Sequence, residues 1–298
     1  MRKTTLAVAW ILMASAQPVC AQDSSYTDVL LQDVRARARA VPGELPIAVR
    51  YLNFMDDSSP ASDAVDGAPH ARINEVTPVF QVRYRQGWIM VDAGMTHAMA
   101  GKAPGFSEER YQQVLAALRG ARLIVVTHEH PDHVGTLVRS PIAADVASRT
   151  LLTRQQVETM VTKPTVSFVS LDSTAARRYL VVDYDRLLPI APGVVLIRSP
   201  GHTPGSQIVY VRLASGRELM LTGDIAWRKA GIDEQRQKPD SVSRQLSEDR
   251  IAIAQEMAWL KHTVEPAGIA VVVSHDGEEI AELGRRGMLS DGLDVTKP

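Results

Sequence analysis

Short apolar runs of strand length recur along the chain between breaks rich in Gly, Pro, Asp and Ser, and few segments show helical spacing. Residues 29–40 predict a short helix. Residues 47–54 read as a first strand, with Pro46 just ahead of it, where a missing N–H does no harm. Residues 56–69, rich in Ser, Ala, Asp and Gly, read as a loop. Residues 78–84 alternate, Arg85-Gln86-Gly87 turns the chain, and 88–91 return, which predicts a hairpin. Ser107 has the chemistry of a helix N-cap, with Glu108 and Glu109 in the first turn, and that helix should run to about Leu118. Residues 123–126 form a fully apolar strand.

The second half repeats the style. Residues 194–197, 208–213 and 218–221 predict strands, the last two joined by Ser215-Gly216. Residues 241–262 predict one long helix, with Val242, Leu246, Ile253, Met257 and Leu260 near helical spacing. Residues 269–273 are a final buried strand. No internal repeat is visible. Strands do not alternate singly with helices, so the pattern suits an αββα sandwich, two mixed sheets packed face to face and flanked by helices.

Composition narrows the class. Of 298 residues 45% are hydrophobic and 22% charged, too apolar for a disordered chain. The 33 bases and 34 acids nearly cancel, to a net charge of -1, so nothing electrostatic points to nucleic acid. One cysteine excludes a disulfide framework and any Cys-rich zinc finger.

Residues 1–21 read as a secretory signal. Arg2 and Lys3 open it, an apolar stretch runs from about Leu6 to Met13, and Val19-Cys20-Ala21 has a small-x-small ending. The apolar core is short of the roughly 20 residues of a membrane span. An anchored N-terminal helix is the alternative; a lipoprotein anchor at Cys20 fits less well, because Gln17, Pro18 and Val19 precede it. Cleavage removes two bases, no acid and the cysteine. It leaves residues 22–298 as one domain, periplasmic or secreted, without stable membrane insertion.

The chemistry concentrates after the 123–126 strand, in Thr127-His128-Glu129-His130-Pro131-Asp132-His133. In an extended segment the rings of His128 and His130 point the same way. Pro131 ends that run, so Asp132 and His133 can face a second point. One loop thus offers two imidazoles to one metal, and a carboxylate plus an imidazole to another. Three further candidates each follow a predicted strand: Gly201-His202-Thr203-Pro204-Gly205, Thr222-Gly223-Asp224 and Ser274-His275-Asp276-Gly277. Ligands at the same end of several strands converge on one rigid edge.

This set resembles the metallo-β-lactamase superfamily from about Ile47 to His275. The resemblance implies one metal held by His128, His130 and His202, a second held by Asp132, His133 and His275, and Asp224 bridging them. Val91-Asp92-Ala93-Gly94 resembles the family's earlier Asp-x-Gly turn, which implies that Asp92 orients a ligand histidine. Imidazole and carboxylate suit two Zn²⁺ ions per chain, with Fe or Mn as alternatives. Two such metals, about 3.5–4 Å apart, hold a bridging water and make hydroxide available near neutral pH. Asp132 is the candidate catalytic side chain, orienting that nucleophile and taking a proton.

Asp224 also bears on the bond cleaved. In the family, Cys or Ser at this position accompanies β-lactam cleavage, whereas Asp accompanies thioesterases, acyl-homoserine lactonases and organophosphate hydrolases of parathion-hydrolase type. The small-molecule substrate is therefore expected to carry an ester, lactone, thioester or phosphotriester bond and not a β-lactam, with an ester or lactone as the leading reading. The lactonases carry a Tyr three residues after this Asp, where Trp227 stands here and cannot act as an acid. Trp227 either lines an apolar pocket or packs in the core. Ser206 stands where many members have His or Cys. Residues 153–170 are a lid over the site or a plain connecting helix. His97 is a candidate for the site rim, while His70 and His262 carry no assignment. Competing readings are a periplasmic β-lactamase, a non-catalytic zinc-binding protein and a mononuclear iron dioxygenase.

Overall fold

The computed structural model describes residues 26–101, 103 and 105–296. The expected signal at residues 1–21, with Cys20, lies outside the described residues. Strands β1 (Ala48–Pro60), β2 (Arg72–Arg83), β3 (Trp88–Val91), β4 (Leu123–Val125), β5 (Thr150–Thr153) and β6 (Leu180–Val182) come first. β7 (Leu187–Ala191), β8 (Val194–Arg198), β9 (Gln207–Arg212), β10 (Glu218–Leu221), β11 (Ala270–Val272) and β12 (Ser290–Asp291) follow. They form a seven-stranded sheet in the order β12-β1-β2-β3-β4-β5-β6 and a five-stranded sheet in the order β11-β10-β9-β8-β7. Both are mixed: β3 to β6 run parallel, β7 to β10 antiparallel, and β11 is parallel to β10.

Period-two burial on both faces explains why the central strands read as continuous apolar runs. On β8, Val194 and Leu196 face the other sheet, where Phe80, Val82, Val91 and Val125 meet them. Val195 and Ile197 face outward and pack with Leu30, Val34, Ile253 and Met257 from the helices Asp28–Arg37 and Arg250–Trp259. The helices Glu108–Gly120 and Pro131–Arg139 cover the other sheet through Val114, Leu118, Val134 and Leu137. The expected αββα layering is therefore present. Among the described residues no helix is long and apolar enough to cross a membrane.

Three expected boundaries were wrong, the simplest being the second strand, which begins at Arg72 and not at Pro78. The first strand does not end at Phe54; it continues through the polar stretch to Pro60, pairing Asp57 with Glu75 and Ser59 with Ile73 beyond a bulge between Asn53 and Met55. These residues are only partly covered, so the backbone ladder, not burial, sustains the strand, and a composition signal for exposure was misread as a loop. The expected helix over 241–262 is two helices, Asp240–Leu246 and Arg250–Trp259, followed by a π-helical turn, Leu260–Val264. Ser247 ends the first at φ 60°. Asp249 then caps the second, its carboxylate accepting from the backbone N–H groups of Ile251 and Ala252 at 3.0 Å. The break turns Glu248 toward the interior.

Candidate metal centre

All seven expected metal-site residues lie just beyond the C-terminal ends of strands. His128, His130, Asp132 and His133 follow β4, His202 follows β8, Asp224 follows β10 and His275 follows β11. The structure brings them into two adjoining groups: His128, His130, His202 and Asp224, and Asp132, His133, Asp224 and His275. Pro131 starts the helix Pro131–Arg139 at its first position, where a missing N–H costs nothing. That turn separates the first pair of histidines from Asp132 and His133.

In the first group His130 Nδ1 lies 3.1 Å from His128 Nε2 and 2.9 Å from His202 Nε2. Asp224 Oδ2 is 3.8 Å and 3.7 Å from the two Nε2 atoms. In the second, His133 Nε2 is 3.3 Å from both Asp132 Oδ2 and Asp224 Oδ1, and His275 Nε2 is 3.4 Å and 3.2 Å from Asp132 Oδ2 and Asp224 Oδ2. His133 Nε2 and Asp224 Oδ1 are buried without a hydrogen-bond partner among the described residues. Buried polar atoms are rarely left so. Nitrogen lone pairs and carboxylate oxygens aimed at common points are what a divalent cation requires, so the donor set fits a metal.

For four of the five rings, all but His130, a contact on the far side fixes the orientation. His133 Nδ1 donates to Asp92 Oδ2 at 2.9 Å, and His275 Nδ1 to the Val76 carbonyl at 2.8 Å. His202 Nδ1 meets Glu248 Oε1 at 2.6 Å, and His128 Nδ1 lies 3.2 Å from Thr127 Oγ1. Asp92 sits at φ 63°, a strained conformation for a side chain other than Gly. From there it also accepts from the Thr127 backbone N–H at 2.7 Å. The expected orienting role of Asp92 thus has matching geometry.

The two groups differ electrostatically. Burial, aided by neighbouring imidazoles, pushes His128 well down and His130 to about 3; burial also lowers His202, against the pull of Glu248. These rings are neutral, the form that binds metals. Burial also acts downward on His133 and His275, but carboxylates outweigh it: Asp132, Asp92 and Asp224 raise His133, and Asp224 and Asp132 raise His275 to about 9. Asp132 and Asp224 are held below the usual carboxylate range, burial being overcome by the adjacent imidazoles.

The other candidates divide. Trp227 lines the cavity above the centre, and its Nε1 donates to Asp224 Oδ2 at 2.9 Å. Ser206 holds the His202 turn closed, its Oγ accepting from the Thr203 N–H at 3.0 Å. His97 is not brought to the centre; it is exposed and stacks on Phe106 at 4.8 Å. His262 and His70 are exposed. Residues 153–170 contain a capped helix, Arg154–Thr162, whose Gln155, Glu158, Thr159 and Thr162 form a polar cavity wall. Met55, Met95, Val166 and Leu246 add apolar surface to the same cavity of about 1000 Å³. Sequence reasoning missed Glu248, Lys238 and Gln156. Gln156 Nε2 ties that helix to the Val126 and Gly205 carbonyls at 3.0 Å each.

The comparisons with known proteins agree with this arrangement. The model of the Metallo-beta-lactamase superfamily matches residues 75–256, more than half of the chain. No curated protein sequence matches. Among solved structures, an N-acyl homoserine lactone hydrolase with its product N-hexanoyl-L-homoserine at the catalytic metal center is 16% identical, with 80% of this chain and 96% of that chain covered and a TM-score of 0.63. A dizinc quorum-quenching lactonase in complex with a product is 15% identical, covering 79% and 90%, with a TM-score of 0.58. A hydrolase of the beta lactamase superfamily, AbOPH, is 15% identical, covering 80% and 92%, with a TM-score of 0.55. At these identities the likeness is one of fold.

Proposed function

Because the chain belongs to the metallo-beta-lactamase superfamily, we propose that it is a dinuclear zinc hydrolase of esters or lactones, exported by its N-terminal signal to the periplasm or beyond. The observation that carries this reading is the pair of donor groups sharing Asp224, with His133 Nε2 and Asp224 Oδ1 buried and making no hydrogen bond among the described residues. His128, His130 and His202 would hold one zinc, Asp132, His133 and His275 the other, and Asp224 both. Zinc, when bound, supplies a Lewis acid and an activated water.

The chain's own residues supply the rest. Asp132 is the most exposed of the two carboxylates, at 22% against 4% for Asp224, and it lines the cavity. It would orient the nucleophile and accept its proton. Trp227 commits its N–H to Asp224 and has no acidic proton to give a leaving group. The cavity suits a small substrate with both a polar and an apolar side: hydrogen-bonding groups toward Thr159 and Thr162, hydrocarbon toward Met95 and Leu246. The donor atoms are nitrogen and oxygen alone, which suits an oxidising compartment.

The purified protein should contain two zinc ions per chain by elemental analysis, and should open an acyl-homoserine lactone or cleave a simple ester faster than it turns over nitrocefin. Rapid nitrocefin hydrolysis tracking zinc content would refute the preference for esters and lactones, and one iron per chain would refute the dinuclear zinc site.

A further inference from the structure

The ring of His202 is backed by two buried charges that neither donor group uses. Glu248 lies in the break between the helices Asp240–Leu246 and Arg250–Trp259. Its Oε1 meets His202 Nδ1 at 2.6 Å and accepts from Lys238 Nζ at 2.7 Å. Both charged side chains are about 1% exposed. Lys238 Nζ also donates to the Asp224 carbonyl at 2.8 Å and sits 5.2 Å from the centroid of the Trp227 ring. Trp227 in turn donates to the Asp224 carboxylate. One connected path therefore runs from a histidine of the first group to the backbone and side chain of the shared aspartate.

We propose that Glu248 and Lys238 are positioning residues of the metal centre. Glu248 fixes the His202 ring with Nε2 turned to the centre, and Lys238 locks Glu248 and Asp224 in one arrangement. This rests on the reading of the centre as a zinc site. Desolvating a lysine and a glutamate is costly, and an apolar pair of similar volume usually serves stability as well or better. The pair's geometry accounts for its presence in another way. A carboxylate accepting at Nδ1 selects the tautomer whose Nε2 carries the lone pair, and makes that nitrogen a better donor to a metal. Because the ammonium and the imidazole share one oxygen of Glu248, neither the carboxylate nor the ring can rotate without breaking a short contact. Each group then contains one histidine buttressed by a carboxylate: His202 by Glu248, and His133 by Asp92.

The test replaces the charged pair by an apolar one in the full chain, Glu248→Leu with Lys238→Met, and titrates the metal-free protein with zinc against a chromogenic chelator. The melting temperature of the double variant should equal or exceed the parent's. One of its two zinc equivalents, the one His202 would hold, should bind about 10–100-fold more weakly, the other should weaken less because it shares only Asp224, and the visible absorption of Co²⁺ should change. Glu248→Gln, which keeps an acceptor at Nδ1, should recover part of the loss. Parent-like affinity at both equivalents, or equal weakening of both, overturns the proposal. Should the double variant fail to fold, unchanged affinity in Glu248→Gln overturns it, and a weakened single equivalent supports it. A parent chain that binds no zinc refutes the zinc reading itself, and this proposal with it.

Discussion

At the residue scale, Asp224 serves both groups: its Oδ2 faces His128, His202 and His275 while Oδ1 faces His133. No other side chain in the set has that double position. Asp224→Ala is expected to reduce hydrolysis to the background rate and His130→Ala to do the same, whereas exposed His262→Ala should match the parent. Steady-state turnover of the three variants on one ester checks this, and retained turnover in Asp224→Ala would contradict the bridging role. Legibility at this scale followed distance along the chain. His128 to His133 could be read because six consecutive residues carry four donors. Glu248 could not, since its partner His202 is 46 positions away and a glutamate on a presumed helix reads as a solvated face. Trp227 was legible as an oddity, but the direction of its N–H belongs to the fold.

At the element scale, the turn presenting His202 is clamped by the helix Arg250–Trp259. The Asp249 N–H donates to the Gly201 carbonyl at 2.8 Å, and the Gly201 N–H donates to Glu256 Oε1 at 3.0 Å. A Cβ on Gly201 would stand 2.6 Å from Glu256 Oε2 and 2.9 Å from the Ile253 backbone nitrogen, which cannot yield. Gly201→Ala should therefore lower stability by about 1–3 kcal/mol and loosen zinc, read from a denaturant midpoint and from metal retained on dialysis; a parent-like midpoint would show that the turn can shift freely. Burial pushes Glu256 up to about 7 from 4.5. The folded state therefore keeps a proton that the unfolded chain releases, so this contribution is complete below about pH 4.5 and is lost as pH rises through about 7. Glu256→Gln, which stays neutral, should lose less stability than the parent across that window, by up to about 3 kcal/mol. Parallel pH curves of melting temperature would exclude this titration. The clamp escaped sequence reading because continuous apolar spacing across 241–262 hid the Ser247–Asp249 break, although Asp249 has the chemistry of a cap.

At the scale of the whole molecule, each donor group draws on both sheets. The seven-stranded sheet supplies His128 and His130 to one and Asp132 and His133 to the other. The five-stranded sheet supplies His202 to the first, His275 to the second and Asp224 to both. Bound zinc would thus cross-link the sandwich at one end. Chelation should lower the thermal midpoint, and zinc at a thousandfold excess over its Kd should restore about 4 kcal/mol; a midpoint indifferent to chelator would contradict a site spanning the two sheets. The layering was legible from the doubly apolar strands. The strand order was not, since nothing local tells β12 to return and pair with β1.

The connection between the sheets gives this division a practical meaning. β6 ends at Val182 and β7 begins at Leu187, so residues 183–186 carry the chain from the seven-stranded sheet to the five-stranded one, to which it stays committed until it returns after β11 to place β12 beside β1. A cut there would leave four donors on one fragment and three on the other, and neither fragment would own a complete group. Zinc retention would then report the rejoining of two separately made pieces, a binary signal already built into the chain.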